Sequence, residues 1–317
     1  MTGGPVAIVD CGTNTIRLLI AESDGRGGLR ELDRRMEIVR LGQGVDATGS
    51  FLPEALQRTF AATERYAGVI TEHGVDLERI RFVATSASRD VSNREEFFAG
   101  ISTRLGVIPQ VITGDEEARL SFAGALSGAN EPAGPVLVTD IGGGSTELII
   151  GNAAGEPSRG ISLDIGSVRI TERFWSADPP TVDDRARATR LIDELLDDSG
   201  IAFSEVRTWI GVAGTLTTLA AIDLDLADYD RTLVHGHRVG RDRVTAIAAA
   251  LAASSSEQIR GRNGVHPQRA DVITAGALIA GRIGSRLMVD ALIVSESDIL
   301  DGAALDLLRA AGAGQGA

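Results

Sequence analysis

The segment VAIVDCGTNTIRLLIA (Val6 to Ala21) recurs in outline as VLVTDIGGGSTELIIG (Val136 to Gly151), at a constant offset of 130 that sets Asp10 against Asp140. Each copy reads as an apolar strand ending in Asp, a Gly-containing turn rich in hydroxyls, and a second apolar strand. The second strands close on Leu18-Leu19-Ile20 and Leu148-Ile149-Ile150. A chain that writes this hairpin twice is expected to build two related half-domains facing each other. Backbone N–H groups in a Gly-rich turn suit phosphate oxygens, and an Asp beside phosphate suits a hard cation such as Mg²⁺. The duplication therefore points to phosphoryl chemistry in a cleft between two lobes.

Composition narrows the options. A length of 317 residues favours two domains over one core. All 31 Lys+Arg residues are arginine. A Lys-bearing P-loop, a protein-kinase strand lysine and Schiff-base chemistry are excluded. The net charge of −13 argues against nonspecific nucleic-acid binding, which needs a basic surface. The 4% aromatic content argues against stacking platforms for bases or sugars. A single cysteine, Cys11, permits no internal disulfide and fits a reducing compartment. Without a signal-like N-terminus or an apolar run of membrane-spanning length, the expected location is the cytoplasm, with no membrane partner.

Strands are expected over Val6–Asp10, Ile16–Ala21, Met36–Leu41, Arg79–Thr85 and Gln110–Thr113 in the first half. Helices are expected over Pro53–His73, Glu95–Leu105 and Asp115–Leu126, the last opened by a capping box from Thr113 to Glu116. The run SGANEPAGP (Ser127 to Pro135) breaks every period and is the expected linker. Beyond the second hairpin come strands at Gly160–Leu163, Thr208–Val212 and Ala291–Val294, and helices at Ser167–Phe174, Val182–Leu196 and Ala270–Leu287. The tail AAGAGQGA is expected to fray. The sum is an α/β protein with similar lobes over 1–130 and 131–317, a last helix near 299–310 returning to the first.

Each candidate site residue also has a bland reading. Asp10 and Asp140 could simply cap turns, but their equivalent places in a duplicated hairpin favour function. The run Gly142-Gly143-Gly144-Ser145 is best explained by close approach of a ligand to the main chain. Glu147 opens a strand, where it is either an outward charge or a ligand. Asp115 and Glu116 suit the helix macrodipole, while Glu117 stays ambiguous on local grounds. Arg89 is a loop arginine with a fork that fits phosphate. Gly211 to Thr215 (GVAGT) is a third strand-to-helix turn, for a phosphate or ribose or for tight packing. His235 and His237 make a weak metal pair, and Cys11 reads as core.

With those residues in hand, the chain resembles the exopolyphosphatase/guanosine pentaphosphate phosphohydrolase (Ppx/GppA) family. The motifs VDCGTNTIRLLI, GDEEAR with DIGGGSTEL, and GVAGT carry the resemblance from Val6 to about Gly302. It implies an α/β fold of two actin-like (ribonuclease H-like) lobes around a cleft, in the acetate and sugar kinase/chaperone/actin superfamily. It also implies hydrolytic release of terminal phosphate from inorganic polyphosphate. The implied base is Glu117, and the implied ligands of Mg²⁺ or Mn²⁺ are Asp140, Glu147 and Asp10. Asn14, Thr15, Arg89, Gly142, Gly143, Gly144, Ser145, Gly214 and Thr215 are implied to hold phosphates. Guanosine alarmones such as pppGpp, of the stringent response, are implied second ligands, and a homodimer the implied assembly.

The chain departs from the family in two ways. It has no room for the C-terminal helical domain of longer members, which favours short polyphosphate. In the pattern Ser-x-x-Gly-x-Arg-x-Gly, Asp298 replaces a Gly and Leu300 an Arg. Three functions follow in order: a metal-dependent polyphosphatase with (p)ppGpp-type nucleotides as secondary or principal substrate, a catalytically weak polyphosphate or alarmone sensor, and an ATP-consuming kinase of the same superfamily.

Overall fold

The computed structural model describes residues 4–25, 27–89, 91–127 and 132–313. The chain forms two compact units, Met1–Ser127 with Ile299–Ala317, and Gly128–Asp298. Much of the expected linker, 128–131, and the end of the tail, 314–317, lie outside the described residues.

In the first unit the hairpin is β1 (Val6–Cys11) and β2 (Thr15–Ser23), followed by β3 (Leu29–Ile38). After the single turn α1 (Val45–Thr48) come α2 (Pro53–Glu72), β4 (Ile80–Ala84), α3 (Arg94–Leu105), β5 (Gln110–Val111) and α4 (Gly114–Ser127). The second unit runs β6 (Val136–Ile141), β7 (Thr146–Gly151), β8 (Pro157–Leu163), α5 (Ser167–Phe174), α6 (Val182–Asp198), β9 (Thr208–Val212) and α7 (Ala213–Asp223). It continues through α8 (Arg231–Val234), β10 (Arg238–Gly240), α9 (Arg241–Ala252), α10 (Ser256–Arg260), α11 (Ile273–Gly284) and β11 (Ala291–Val294). The chain then re-enters the first unit as α12 (Ile299–Ala313).

The two sheets repeat one plan. Their orders are β3-β2-β1-β4-β5 and β8-β7-β6-β9-β11-β10. In each, an antiparallel meander leads to a central strand with parallel neighbours: β1 with β4, and β6 with β9. The fold is thus the expected α/β class with actin-like units. The central strands are buried along their whole length, as a sheet covered on both faces requires.

Packing on the sheets is close. In the first unit Phe97 of α3 meets Phe51 and Phe82 edge-on, and the Tyr66 hydroxyl of α2 donates to Ile16 O at 3.1 Å. In the second unit Trp209 is fully buried and donates from Nε1 to Thr139 Oγ1 at 3.1 Å. Gly302 lets α12 lie on α4, since a Cβ there would stand 2.0 Å from Leu120 O. Leu300 belongs to the same apolar cluster as Val6, Ile8 and Leu19, so the position that carries Arg in the family pattern has a packing role here.

Several elements differ from expectation, among them α1, α8, β10, α9 and α10, none of which is expected from the sequence. The third strand covers Leu29–Ile38 rather than Met36–Leu41, because a charged edge strand carries little apolar signal. The helix expected over Ala270–Leu287 is shorter, Ile273–Gly284, and is preceded by a 3₁₀ turn at Pro267–Arg269.

Candidate active site

In both units the candidate residues gather at the carboxyl ends of the parallel strands, where open α/β sheets present their ligand sites. The two hairpin turns are built alike. Gly12 N donates to Thr15 O at 2.9 Å, and Gly142 N to Ser145 O at 3.0 Å. What surrounds each turn decides which backbone groups it can offer a ligand.

In the second unit the turn's carbonyls are spent on the start of α5. Ser167 N donates to Gly142 O at 2.9 Å, and Val168 N and Arg169 N donate to Gly143 O at 2.9 and 3.1 Å. A Cβ on Gly166 would lie 2.4 Å from Gly143 C and O, so glycine is what permits this approach. The amides of Gly143, Gly144 and Ser145 are given to no backbone carbonyl among the described residues. A row of three such N–H groups is a nest for an anion. In the first turn the Asn14 carbonyl accepts Val39 N and Arg40 N at 3.0 and 2.9 Å, while Asn14 is buried and Thr15 half-buried. Arg40 takes φ 51°, a left-handed conformation rare outside glycine and one met at ligand sites.

The residue facing the Asp differs between the hairpins. Asp10 stands opposite Arg17, whose Nε and Nη2 donate to Asp10 Oδ2 at 3.0 and 2.6 Å. Asp140 stands opposite Glu147, and both are buried. On the next strand Ser162, in register with Glu147, donates its hydroxyl to Glu147 Oε1 at 2.7 Å. Like charges directly opposite in a ladder are destabilising, so the two hairpins differ in kind: the first faces its aspartate with a guanidinium and the second with a carboxylate.

No group of three or more His, Cys, Asp or Glu among the described residues is disposed to hold a metal ion. Two hard carboxylates nevertheless fit Mg²⁺ or Mn²⁺, which take one or two protein carboxylates and complete their shell with phosphate oxygens and water. Asp10 carries the ion pair with Arg17 whatever else it binds.

Glu117, in the first turn of α4, is buried and accepts from Arg89 Nη2. Arg89 also donates from Nε to Ile112 O at 3.2 Å, so the guanidinium ties the carboxylate to the end of the sheet. Neighbouring Glu116 pairs instead with Arg81 at 2.9 Å. Thr113 Oγ1 accepts Glu116 N at 3.2 Å, which is half of the expected capping box, because the Glu116 side chain is committed to Arg81.

At the third turn Ala213 adopts φ 63° between β9 and α7. The Thr215 hydroxyl donates to Ile141 O at 2.8 Å. Its one proton is therefore used, and the backbone amide is what Thr215 has left to offer a phosphate. Arg269 crosses Gly214, since a Cβ there would lie 1.8 Å from Nη1. Sequence reasoning missed Arg269, Ser162 and Arg17. Only the equivalence of Arg17 and Glu147 in the repeat could have signalled one of them.

The remaining candidates have structural partners. His235 Nδ1 accepts Glu296 N at 3.1 Å, and His237 Nε2 pairs with Asp223 Oδ2 at 2.8 Å. Cys11 is fully buried, and burial, with the charge of Asp10 second, pushes its thiol well above the ordinary range. A thiol so placed is no nucleophile.

The fold is that of an actin-like α/β protein, with candidate anion-receiving turns and buried carboxylates at its strand ends. The model of the Ppx/GppA phosphatase family matches residues 19–311, and the chain belongs to that family. Exopolyphosphatase 2 of Mycobacterium tuberculosis is 45% identical over an alignment of 316 residues that covers 95% of this chain and 98% of the relative. The crystal structure of an exopolyphosphatase-like protein is 41% identical with a TM-score of 0.91, covering 97% of this chain and 99% of the other. The Aquifex aeolicus Ppx/GppA family member is 32% identical with a TM-score of 0.81, over 97% and 98% of the two chains. No helix among the described residues is long and apolar enough to cross a membrane.

Proposed function

We propose that the chain is a divalent-metal-dependent exopolyphosphatase releasing terminal orthophosphate from inorganic polyphosphate, short chains favoured, with pppGpp as a second substrate. The observation that carries this reading is the row of unspent amides at Gly143, Gly144 and Ser145 beside the facing carboxylates Asp140 and Glu147. The named relative extends the reading to polyphosphate.

A phosphoanhydride already has a good leaving group, so the protein must hold the chain, offset its charge and manage one proton. The three amides and the Gly214–Thr215 turn receive non-bridging phosphate oxygens, with the Arg269 guanidinium as the adjacent cation. Asp140 and Glu147 would hold Mg²⁺ or Mn²⁺, which supplies neutralisation of phosphate charge when bound. Glu117, oriented by Arg89, accepts the proton of the attacking water. The water oxygen bonds to the terminal phosphorus as the bridging P–O bond breaks, and that electron pair leaves on the shortened chain. Metal ligation by Asp10, phosphate contacts from Asn14 and Thr15, a cytoplasmic location and a homodimer complete the reading.

The test is Mg²⁺-supported phosphate release from tripolyphosphate, long polyphosphate, pppGpp and ATP, wild type beside Glu117→Gln. Loss of the base should lower kcat by about 10²–10⁴. Near-wild-type turnover in the variant would falsify the assignment of Glu117. A wild type active on pppGpp alone would make the protein an alarmone phosphatase.

A further inference from the structure

We propose that Tyr229, with Leu233 beside it, is the platform on which the nucleobase of a nucleoside 5′-polyphosphate stacks. The inference rests on the phosphatase reading of the neighbouring GVAGT turn and deepens it by naming the residues that would select a nucleoside polyphosphate over plain polyphosphate.

The chain has only two tyrosines. Tyr66 is buried, whereas Tyr229 is 53% exposed, as is Leu233 one turn of chain further on. The exposed ring is not loose. Its hydroxyl donates to a Glu296 carboxylate oxygen, and Arg231 grips the other carboxylate oxygen through Nε at 3.2 Å and the Glu296 carbonyl through Nη2 at 3.3 Å. The Glu296 amide in turn donates to His235 Nδ1 at 3.1 Å. The segment Tyr229–His235 is thus pinned at both ends to one residue, so the ring gives up little freedom when a ligand covers it.

The same contacts fix where the ring stands. Val294 pairs with Gly211 in the parallel β9–β11 ladder, and Ser295 N donates to Gly211 O at 2.8 Å. Glu296 therefore lies at the carboxyl end of β9, beside the turn that leads through Ala213 and Gly214 into α7. At the same turn Arg269 crosses Gly214. The surroundings of the Tyr229 hydroxyl agree. Its pKa is raised, first by desolvation of the hydroxyl and then by the Glu296 charge, and Thr217 and Arg269 are among the groups acting on it.

Polyphosphate has no π-face and no apolar edge, so a fixed, exposed ring next to a phosphate turn offers it nothing. A nucleoside polyphosphate has both, joined at the spacing of a sugar. Stacking of one base on one aromatic side chain corresponds to about 5- to 150-fold in affinity.

The experiment measures kcat/KM for GTP, ATP, pppGpp and tripolyphosphate in wild type, Tyr229→Phe, Tyr229→Ala and Leu233→Ser. Tyr229→Ala should lower the nucleotide-to-tripolyphosphate ratio at least fivefold, Leu233→Ser should lower it less, and Tyr229→Phe should keep it. An unchanged ratio in Tyr229→Ala, or an equal fall for every substrate, overturns the proposal. If wild type releases no phosphate from tripolyphosphate, the phosphatase reading has failed, and calorimetric binding of GTP then decides the inference separately. Weakened GTP binding in Tyr229→Ala sustains it. Equal binding in both proteins, or no binding by wild type, overturns it.

Discussion

Replacing Glu147 by Gln should stabilise the metal-free protein and abolish much of its response to Mg²⁺. Glu147 and Asp140 are paired across an antiparallel ladder, and both are buried. Cβ atoms of such pairs lie about 5 Å apart, and two unit charges at that distance repel by about 3 kcal/mol at an effective dielectric of about 20. Hydrogen bonding to Ser162 returns part of that cost, and a glutamine can still accept the Ser162 hydroxyl through its amide oxygen. A net gain of about 1–2 kcal/mol remains, or about 2–8 °C for a unit of this size. Thermal melts in chelator and in excess Mg²⁺ test it. Wild type should melt higher with Mg²⁺, and Glu147→Gln should melt higher in chelator yet gain little from the ion. The equivalent change in the first hairpin, Arg17→Gln, should have the opposite sign. It leaves the buried Asp10 charge without the guanidinium that donates twice to it, which costs about 3–5 kcal/mol. If Glu147→Gln melts lower than wild type in chelator and keeps the full Mg²⁺ shift, the carboxylate pair is not the cation site.

Gly302→Ala sets a helix-propensity gain of about 1 kcal/mol against a Cβ placed 2.0 Å from a backbone oxygen of α4. Overpacking against rigid main chain should win by about 1–3 kcal/mol, and because α4 carries Glu117, kcat should fall more than KM changes. Steady-state kinetics beside a melting curve will show whether both follow. Gly214→Ala places a Cβ first against the Arg269 guanidinium, which should be displaced so that KM for phosphate chains rises; an unchanged KM would remove Arg269 from the substrate's path. Asp193 accepts from Arg282 at 2.8 and 2.9 Å and from Arg286 at 2.9 Å. Burial works to raise its pKa, but these bonds outweigh it and hold the carboxyl below its usual range. A depressed folded pKa gives stability present above about pH 4 and lost as pH falls through the folded value. Asp193→Asn should therefore cost about 1 kcal/mol at pH 7 and progressively less as the pH falls below about 4 towards the depressed folded value, and a Tm gap that stays constant on acidification would contradict the linkage.

What could be read in the amino acids and what could not divides along one physical line. Strands whose burial is written into their own composition, such as Val6–Cys11 and Thr208–Val212, declared themselves by apolar runs. The first half of β3 did not, because Leu29–Ile38 is an edge strand stabilised by charges that lie elsewhere in the chain. Arg30 pairs with Glu22, Glu37 with Arg65, and Arg34 with Asp301 across 267 residues. Site residues follow the same rule. Asp10, Asp140, Glu147 and the glycine run were visible because the hairpin is written twice, which turns a local ambiguity into a comparison. Ser162 beneath Glu147 and Arg269 over Gly214 were invisible, since only the register of β7 with β8 and the fold of α7 bring them there. The informative residue pair lay in plain view and needed the register to acquire meaning. Arg17 and Glu147 occupy one position of the repeat, and only their placement opposite Asp10 and Asp140 shows that duplication kept the hairpin while reversing the charge that faces its aspartate. One copy sets a guanidinium against its aspartate and the other sets a carboxylate there, so the same hairpin presents two opposite electrostatic faces.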